Sequence, residues 1–215
     1  MALRAGGVAS RDRGARPVWI VGAPGLATRE DIITLDEEAT LIAHIDGEGL
    51  SPCRLQGGLG KRLICSSSWT YHFDTGRFAP TVAIPDWLQP LKDRAAEFAG
   101  LASDEIVQAL LIRYDKGAGI GWHTDRPVFV IGVSVGHPAT VRFRRRAGTK
   151  FEHASAPIHP RAIYHLSGEA CHDAQHPRMD AQHRGNDGTR WTITFRTLRI
   201  NAERRFPRVH SDLPD

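Results

Sequence analysis

The sequence predicts a mostly β fold, an antiparallel barrel or jelly roll, with two flanking helices packed against the β-core. Three observations support this fold class. The length of 215 residues suits one domain of ordinary size. Two stretches in the N-terminal half have apolar residues at helical spacing. From about residue 101 onward, the apolar runs become short and strand-like, with turns rich in Gly, Pro and His between them.

The composition is that of a globular protein with a hydrophobic core, because 41% of residues are hydrophobic and 24% are charged. No run approaches the ~20 apolar residues of a membrane helix, so we expect no membrane partner. We also expect the protein to be cytoplasmic and a monomer. Three scattered cysteines are too few for a disulfide framework, which favours a reducing compartment. The net charge of +4 suits a polyanionic partner, although many basic proteins without such a partner share it.

We expect one folded domain over residues 17–200, between a flexible N-terminal tail at 1–16 and a loose C-terminal tail at 201–215. The N-terminal tail is rich in Arg and lacks the apolar region of a secretory signal, but a transit peptide would look similar. Within the domain, residues 17–100 hold the helices and a hairpin. Residues 101–200 hold the β-core.

The first elements are a short strand, VWIV, a Gly/Pro turn and an amphipathic helix. Thr34 and Glu37 are spaced as a capping box at the start of this helix, and Gly47 ends it. Its apolar face holds Leu41, Ile42 and Ile45. The next segment, residues 61–78, alternates weakly and is rich in aromatic residues, which predicts an exposed hairpin.

The second helix is predicted in PDWLQPLKDRAAEFAG. Asp86 can cap it, Pro90 is tolerated in its first turn, and Gly100 ends it. Its apolar face holds Trp87, Leu88, Leu91, Ala95 and Phe98. The strands of the core then follow in five runs, EIVQALLIRY, PVFVIGVSV, ATVRFRRR, RAIYHLSG and RWTITFRTLRI.

Four His-x-Asp pairs occur where composition alone predicts fewer than one, so their contexts must decide which pair is functional. His44 and Asp46 fall in the last turn of the first helix, where His commonly interacts with free carbonyls, so we interpret this pair as structural. The pair at residues 210 and 212 lies in the C-terminal tail. The pair in GIGWHTDRPVF, residues 119–129, follows a glycine turn that can present it at the mouth of a barrel.

His123 and Asp125 would project from the same face of an extended segment, with Cα atoms about 6.6 Å apart. Imidazole and carboxylate together suit Fe(II), Mn(II) or Zn(II), and a third ligand is expected farther along the chain. The candidates for it are His165, His172, His176 and His183. Strand alternation in GEACHDAQHPR leaves two of them in competition, with His176 favoured over His172. A zinc hydrolase would fit these residues equally well.

The segment RWTITFR favours an anionic ligand near the metal. Alternation assigns its residues to two faces, Arg190, Thr192, Thr194 and Arg196 on one, and Trp191, Ile193 and Phe195 on the other. If the apolar set faces outward, two guanidiniums line the inside of the barrel, where an arginine without a partner is costly. An interior arginine pair therefore predicts a bound anion, and guanidinium geometry favours a carboxylate.

With His123-x-Asp125, a distal histidine and Arg190-x5-Arg196 in that order, the sequence resembles the AlkB-type Fe(II)/2-oxoglutarate-dependent dioxygenases. The resemblance covers about residues 35–199 and is strongest in RYDKGAGIGWHTDRPVF and RWTITFRTL. It implies a double-stranded β-helix of the jelly-roll type, preceded by helices and a nucleotide-recognition hairpin. This agrees with the predicted strands.

The resemblance also implies a site and a reaction. A facial triad would hold Fe(II) and leave positions for 2-oxoglutarate and O2; its ligands would be His123, Asp125 and His176, with His172 in reserve. The carboxylates of the cosubstrate would be bound by Arg190, Arg196 and Tyr114. The reaction would be oxidative dealkylation of N-alkylated bases in DNA or RNA, commonly in DNA repair, with release of an aldehyde, succinate and CO2.

The substrate side is implied by SSSWTYHF, which resembles the nucleotide-recognition hairpin of the family. Trp69 and Tyr71 are candidates to stack on a flipped-out base. Trp122, next to a metal ligand, is a candidate wall of the substrate pocket or else a core residue. The basic run at residues 142–146 could contact phosphates or be a solvated strand end. The alternative functions are an oxygenase of protein or a small molecule, and a non-catalytic nucleic-acid-binding protein.

Overall fold

The computed structural model describes residues 18–19, 25–55, 58–72, 77–123, 129–170, 179–185 and 187–197. The predicted tails, the Gly/Pro turn at 20–24 and three of the predicted metal-site residues lie outside these ranges. The described part contains two α-helices, α1 (Leu35–Gly47) and α2 (Gln89–Ala99). Its strands are β1 (Val18–Trp19), β2 (Leu26–Arg29), β3 (Ser51–Leu55), β4 (Gly58–Ser67), β5 (Trp69–His72), β6 (Arg77–Pro80), β7 (Ile106–Tyr114), β8 (Ile120–His123), β9 (Val130–Gly136), β10 (Ala139–Ala147), β11 (Lys150–Ile158), β12 (Ile163–Leu166), β13 (Met179–His183) and β14 (Arg190–Thr197).

The strands form two antiparallel sheets and a separate hairpin. The larger sheet has the order β1-β2-β12-β9-β14-β7-β4-β3, the smaller sheet has the order β11-β10-β13-β8, and β5 pairs with β6. The two sheets face each other across a shared apolar cluster, in which Val130 and Leu166 of the larger sheet meet Phe143 and Met179 of the smaller one. This arrangement confirms the predicted mostly β jelly roll.

Both helices cover the outer side of the larger sheet. Leu41 of α1 and Leu91 of α2 belong to one buried cluster with Ile131, Ile193 and Phe195 of the sheet. The apolar face of β14 that was predicted to point outward therefore packs under the helices. In the described part of the chain, neither helix is long and apolar enough to cross a membrane.

The helix ends follow the sequence, with one correction. The capping box is present, since Thr34 Oγ1 accepts from the Glu37 amide at 3.1 Å and Glu37 accepts from the Thr34 amide at 2.8 Å. Gly100 ends α2 in the left-handed region, at φ 70°. The prediction that Asp86 caps α2 is wrong, because a 3₁₀ turn over Asp86–Leu88 precedes α2 and neither segment has a side-chain cap.

Two strand predictions also need correction. A single hairpin was predicted over residues 61–78, but the hairpin that forms consists only of β5 and β6. The preceding strand, β4, lies inside the larger sheet between β3 and β7. Both faces of β4 are covered, and this weakens its alternation. The strands β2, β3, β11 and β13 were not predicted. β11 is mostly exposed along its first half, so it lacks the apolar run that marks a buried strand.

Candidate functional site

The inner face of β14 lines the space between the two sheets. Arg190 is only 1% exposed, and the neighbouring Thr192 and Thr194 are buried on the same face. Ile193 and Phe195 point the other way, into the core beneath the helices. The alternation predicted from RWTITFR is therefore the one in the structure, and it brings a guanidinium into the interior of the barrel.

The Arg190 side chain lies across Tyr114. Its guanidinium carbon is 4.4 Å from the centre of the tyrosine ring, and Arg190 pairs in register with Tyr114 across β14 and β7. Its Nη2 lies 3.3 Å from Nδ1 of His183. Within the described part of the chain, its buried Nε and Nη1 have no hydrogen-bond partner. A buried cation with two unused donors favours an anionic ligand, because its contacts with Tyr114 and His183 leave these two N–H groups desolvated without an acceptor.

A second pair of polar groups extends this surface along the sheet. Thr192 faces Ser134 of β9 in register. Both hydroxyls are buried, and neither finds a hydrogen-bond partner among the described residues. Buried hydroxyls are normally satisfied, so this pair and Arg190 together form a strip that suits a ligand with several oxygen atoms. Farther along the sheet, Tyr164 fills the space, because a Cβ at Gly132 would overlap its ring.

His123 lies at the end of β8, on the side that faces the larger sheet, since it pairs in register with the buried Ala181. Its Nδ1 is 2.9 Å from the carbonyl oxygen of Gly121. A carbonyl can only accept, so Nδ1 donates the proton and Nε2 keeps its lone pair. This hydrogen bond fixes the tautomer and orientation in the way that partners of metal-bound histidines do.

His183 connects His123 to the arginine. Its ring centre is 6.4 Å from that of His123 and 6.2 Å from that of Tyr114, with the rings nearly parallel in both pairs. His123, His183, Tyr114 and Arg190 thus form one contiguous cluster between the sheets. Of the four candidates for the third ligand, His183 is a described residue that lies beside His123.

His165 is not part of this cluster. It shares the helix side of β12 with Ile163, and its ring is 5.2 Å from that of Phe129. Burial lowers the pKa of His165 to about 4, so it is neutral at physiological pH. The prediction of His165 as a candidate for the third metal ligand is wrong, because the larger sheet separates its side chain from His123.

The rest of the predicted triad lies outside the described residues. This holds for Asp125, for His176 and for His172, the reserve ligand. Among the residues that are described, no group of three His, Cys, Asp or Glu side chains is arranged to hold a metal ion. The three-ligand assignment therefore stays a prediction, with His123 placed inside the barrel as it requires.

Trp122 lies on the outer face of the smaller sheet, opposite to His123. The guanidinium carbons of Arg142 and Arg144 are 5.4 Å and 4.6 Å from the centre of a Trp122 ring. Arg144 also lies 4.7 Å from the Phe151 ring, and Phe151 is 47% exposed. The interpretation of Trp122 as a wall of the inner pocket is corrected accordingly. We call this outer surface the arginine face; it comprises Trp122, Arg142, Arg144, Arg146 and Phe151.

The hairpin formed by β5 and β6 is anchored to the larger sheet through the backbone of Trp69. The Trp69 carbonyl oxygen accepts from Nε2 of Gln108 on β7 and from Oγ of Ser66 on β4, at 2.6 Å in both cases. The Trp69 side chain is half-buried, and the side chain of Tyr71 lies outside the described residues. The first residue of the hairpin is thus held beside β7, the strand that carries Tyr114.

Three comparisons with known proteins bear on this site. Residues 56–196 match the family model described as the 2OG-Fe(II) oxygenase superfamily. The solved structure of OsALKBH1 is similar, with a TM-score of 0.61 at 12% identity over 84% of this chain and 99% of that one. A Pseudomonas putida prolyl-4-hydroxylase has a TM-score of 0.51 at 14% identity over 81% of this chain and 93% of that one. No curated protein matches the sequence.

Proposed function

This chain belongs to the 2OG-Fe(II) oxygenase superfamily, and from that membership we propose that it is an oxidative dealkylase of nucleic acid. It would use Fe(II), O2 and 2-oxoglutarate to oxidise an N-alkyl carbon on a base, chiefly in DNA. The alkyl group would leave as an aldehyde, and succinate and CO2 would be the other products.

The described residues fit the metal and the cosubstrate of the superfamily. Bound iron would supply the oxidising chemistry, and Nε2 of His123 would help to hold it, because Nδ1 donates to the Gly121 carbonyl. Arg190 has two buried donors available for a carboxylate, and Thr192 and Ser134 have hydroxyls for further oxygen atoms. In this proposal Asp125 and His176 complete the metal site. Arg196 and Tyr114 assist Arg190 in binding 2-oxoglutarate.

The observation that supports a nucleic-acid substrate is the arginine face. Arg142, Arg144 and Arg146 alternate along β10, so all three project from the same side of the smaller sheet. Trp122 packs against Arg142 and Arg144, and Arg144 also pairs with Asp180 at 2.8 Å. An ordered row of guanidiniums on a strand suits the repeating phosphates of a nucleic-acid backbone. Trp69 and Tyr71 on the hairpin would then stack on the extracted base.

The fold itself is compatible with a protein substrate, since the prolyl-4-hydroxylase of Pseudomonas putida shares it. The direct test is turnover with Fe(II) and 2-oxoglutarate on N-methylated DNA and RNA oligonucleotides. We expect formaldehyde and succinate in equal amounts, and no formaldehyde from unmethylated strands. Succinate formation that responds only to peptides or small molecules would favour that alternative. Oligonucleotide binding without succinate production under any condition would favour a non-catalytic binder.

The double variant Arg142→Gln/Arg146→Gln is expected to weaken oligonucleotide binding equally across sequences, because phosphate contacts carry no base information. Plotted as log K against log salt, the slope should become shallower by about 2, roughly one for each lost phosphate contact. The measurement is fluorescence anisotropy over a salt series. The charge-matched control, Lys92→Gln/Arg94→Gln on α2, should keep the wild-type slope, and identical slopes for all three proteins would contradict the role of the arginine face.

A further inference from the structure

Arg62 is a second arginine at Tyr114. It lies on β4 on the same face as Ile64, which pairs with Ile112 and belongs to the same inner cluster as Tyr114. Its Nη2 donates to the sulfur of Cys53 at 3.7 Å. Leu63 pairs with Arg113 in the antiparallel β4 and β7, so Arg62 lies beside Tyr114 at the next position along the two strands. Its Nε is buried and has no hydrogen-bond partner among the described residues.

Tyr114 on β7 therefore lies between two arginines, with Arg190 of β14 over its ring and Arg62 on the other neighbouring strand, β4. Neither arginine forms an ion pair with a carboxylate in the described part of the chain. Burial opposes the charge on Arg62, but Tyr114 and Cys53 raise its pKa, so it stays protonated. Two guanidiniums next to one phenol ring, neither with a carboxylate partner among the described residues, favour an anion that binds between them.

The order of contacts indicates which group of the ligand Arg62 meets. His123 contacts His183, His183 contacts Tyr114, and Tyr114 contacts Arg62. In this series of neighbouring side chains His123 is therefore the first member and Arg62 the last. A ligand that reaches from the metal to Arg62 must carry negative charge at its far end.

We propose that Arg62 and Arg190 together clamp the 2-oxoglutarate carboxylate that is remote from the metal, and that Arg62 thereby selects for a dicarboxylate. The proposal rests on the proposed function, because it assumes that 2-oxoglutarate binds in this cluster. The competing explanation is structural, with Arg62 serving only to tie β3 to β7 through Cys53 and Tyr114.

The test compares two ligands that differ only at the remote end. 2-Oxopentanoate has the same five-carbon chain as 2-oxoglutarate, with a methyl group in place of the remote carboxylate. Binding of each is measured by calorimetry without turnover, with Mn(II) as the metal. For Arg62→Gln we expect affinity for 2-oxoglutarate to fall about 10- to 100-fold, since a charge-assisted hydrogen bond is lost, and affinity for 2-oxopentanoate to stay unchanged. Arg62→Lys keeps the positive charge but loses the planar set of guanidinium N–H donors. Its affinity for 2-oxoglutarate should therefore lie between those of the wild type and Arg62→Gln.

Lys61→Gln is the matched control, because it removes the same charge from the neighbouring exposed position of β4. It should bind both ligands as the wild type does. Equal weakening of both ligands by Arg62→Gln, or a lower melting temperature of its ligand-free form, would show a structural role and overturn the proposal. An Arg62→Gln variant that binds 2-oxoglutarate as tightly as the wild type would also overturn the proposal. A wild type that binds 2-oxoglutarate but releases no aldehyde contradicts the dealkylase function alone, whereas a wild type that binds none contradicts both.

Discussion

The His123→Ala variant is expected to lose 2-oxoglutarate turnover, by more than the 10- to 100-fold that removing a mere supporting partner of a metal ligand causes. The physical reason is direct. His123 lies on the inner side of the smaller sheet, and its Nδ1–H donates to the carbonyl of Gly121 at 2.9 Å, which leaves Nε2 as the nitrogen that can bind a metal. Alanine removes the imidazole that we propose to bind the metal. Succinate production and bound iron per chain are the two measurements.

The control comes from another His-x-Asp pair of the chain. His44 on α1 stacks on Trp87 with ring centres 4.7 Å apart, and Asp46 accepts hydrogen bonds from Trp191 and Arg113, so this pair has a structural role. His44→Ala should keep wild-type iron content and turnover. A His123→Ala protein with normal iron content and normal succinate production would show that the metal lies elsewhere.

Arg190→Met is expected to abolish detectable stabilisation of the protein by 2-oxoglutarate. Two charge-assisted hydrogen bonds of about 1.5–3 kcal/mol each correspond to a loss of roughly 10²- to 10⁴-fold in affinity. Without ligand the variant should be at least as stable as the wild type, because methionine replaces a buried charge that has no acidic partner among the described residues. Thermal unfolding with and without 2-oxoglutarate, in the presence of Mn(II), measures both effects.

Arg113→Met supplies the comparison for that experiment. Arg113 is on β7 next to Tyr114, but it points to the opposite side, where it pairs with Asp46 and Asp115 and lies over Trp191. Its replacement should leave the 2-oxoglutarate response intact. If instead Arg190→Met kept the full thermal shift with 2-oxoglutarate, the inner face of β14 would not be the cosubstrate site.

The sequence predicted the orientation of β14 because the reversed register would have turned both arginines to solvent, buried only Thr and exposed Trp, Ile and Phe. The same reasoning was available for Trp122. Neighbouring residues on a strand project to opposite faces, so a His123 that faces inward already implies an outward Trp122. Pairing with Arg142 and Arg144 depends on sheet order, which a single sequence does not contain.

Arg62, His165 and His183 could not be assigned from the sequence for a common physical reason. Alternation is readable only where one face of a strand is polar. β4 and β12 are covered on both faces, so their local pattern does not reveal which side Arg62 or His165 occupies. His183 ends β13, a strand of small and polar residues whose pairing with β10 and β8 comes entirely from the folded sheet.

The most direct test is a crystal structure of the protein with Mn(II) and 2-oxoglutarate. We expect the metal on Nε2 of His123, with Asp125 and His176 as the other protein ligands, and one carboxylate within hydrogen-bonding distance of Arg190 and Tyr114. A metal bound away from His123, or 2-oxoglutarate bound where it does not touch Arg190, would contradict this account of the site.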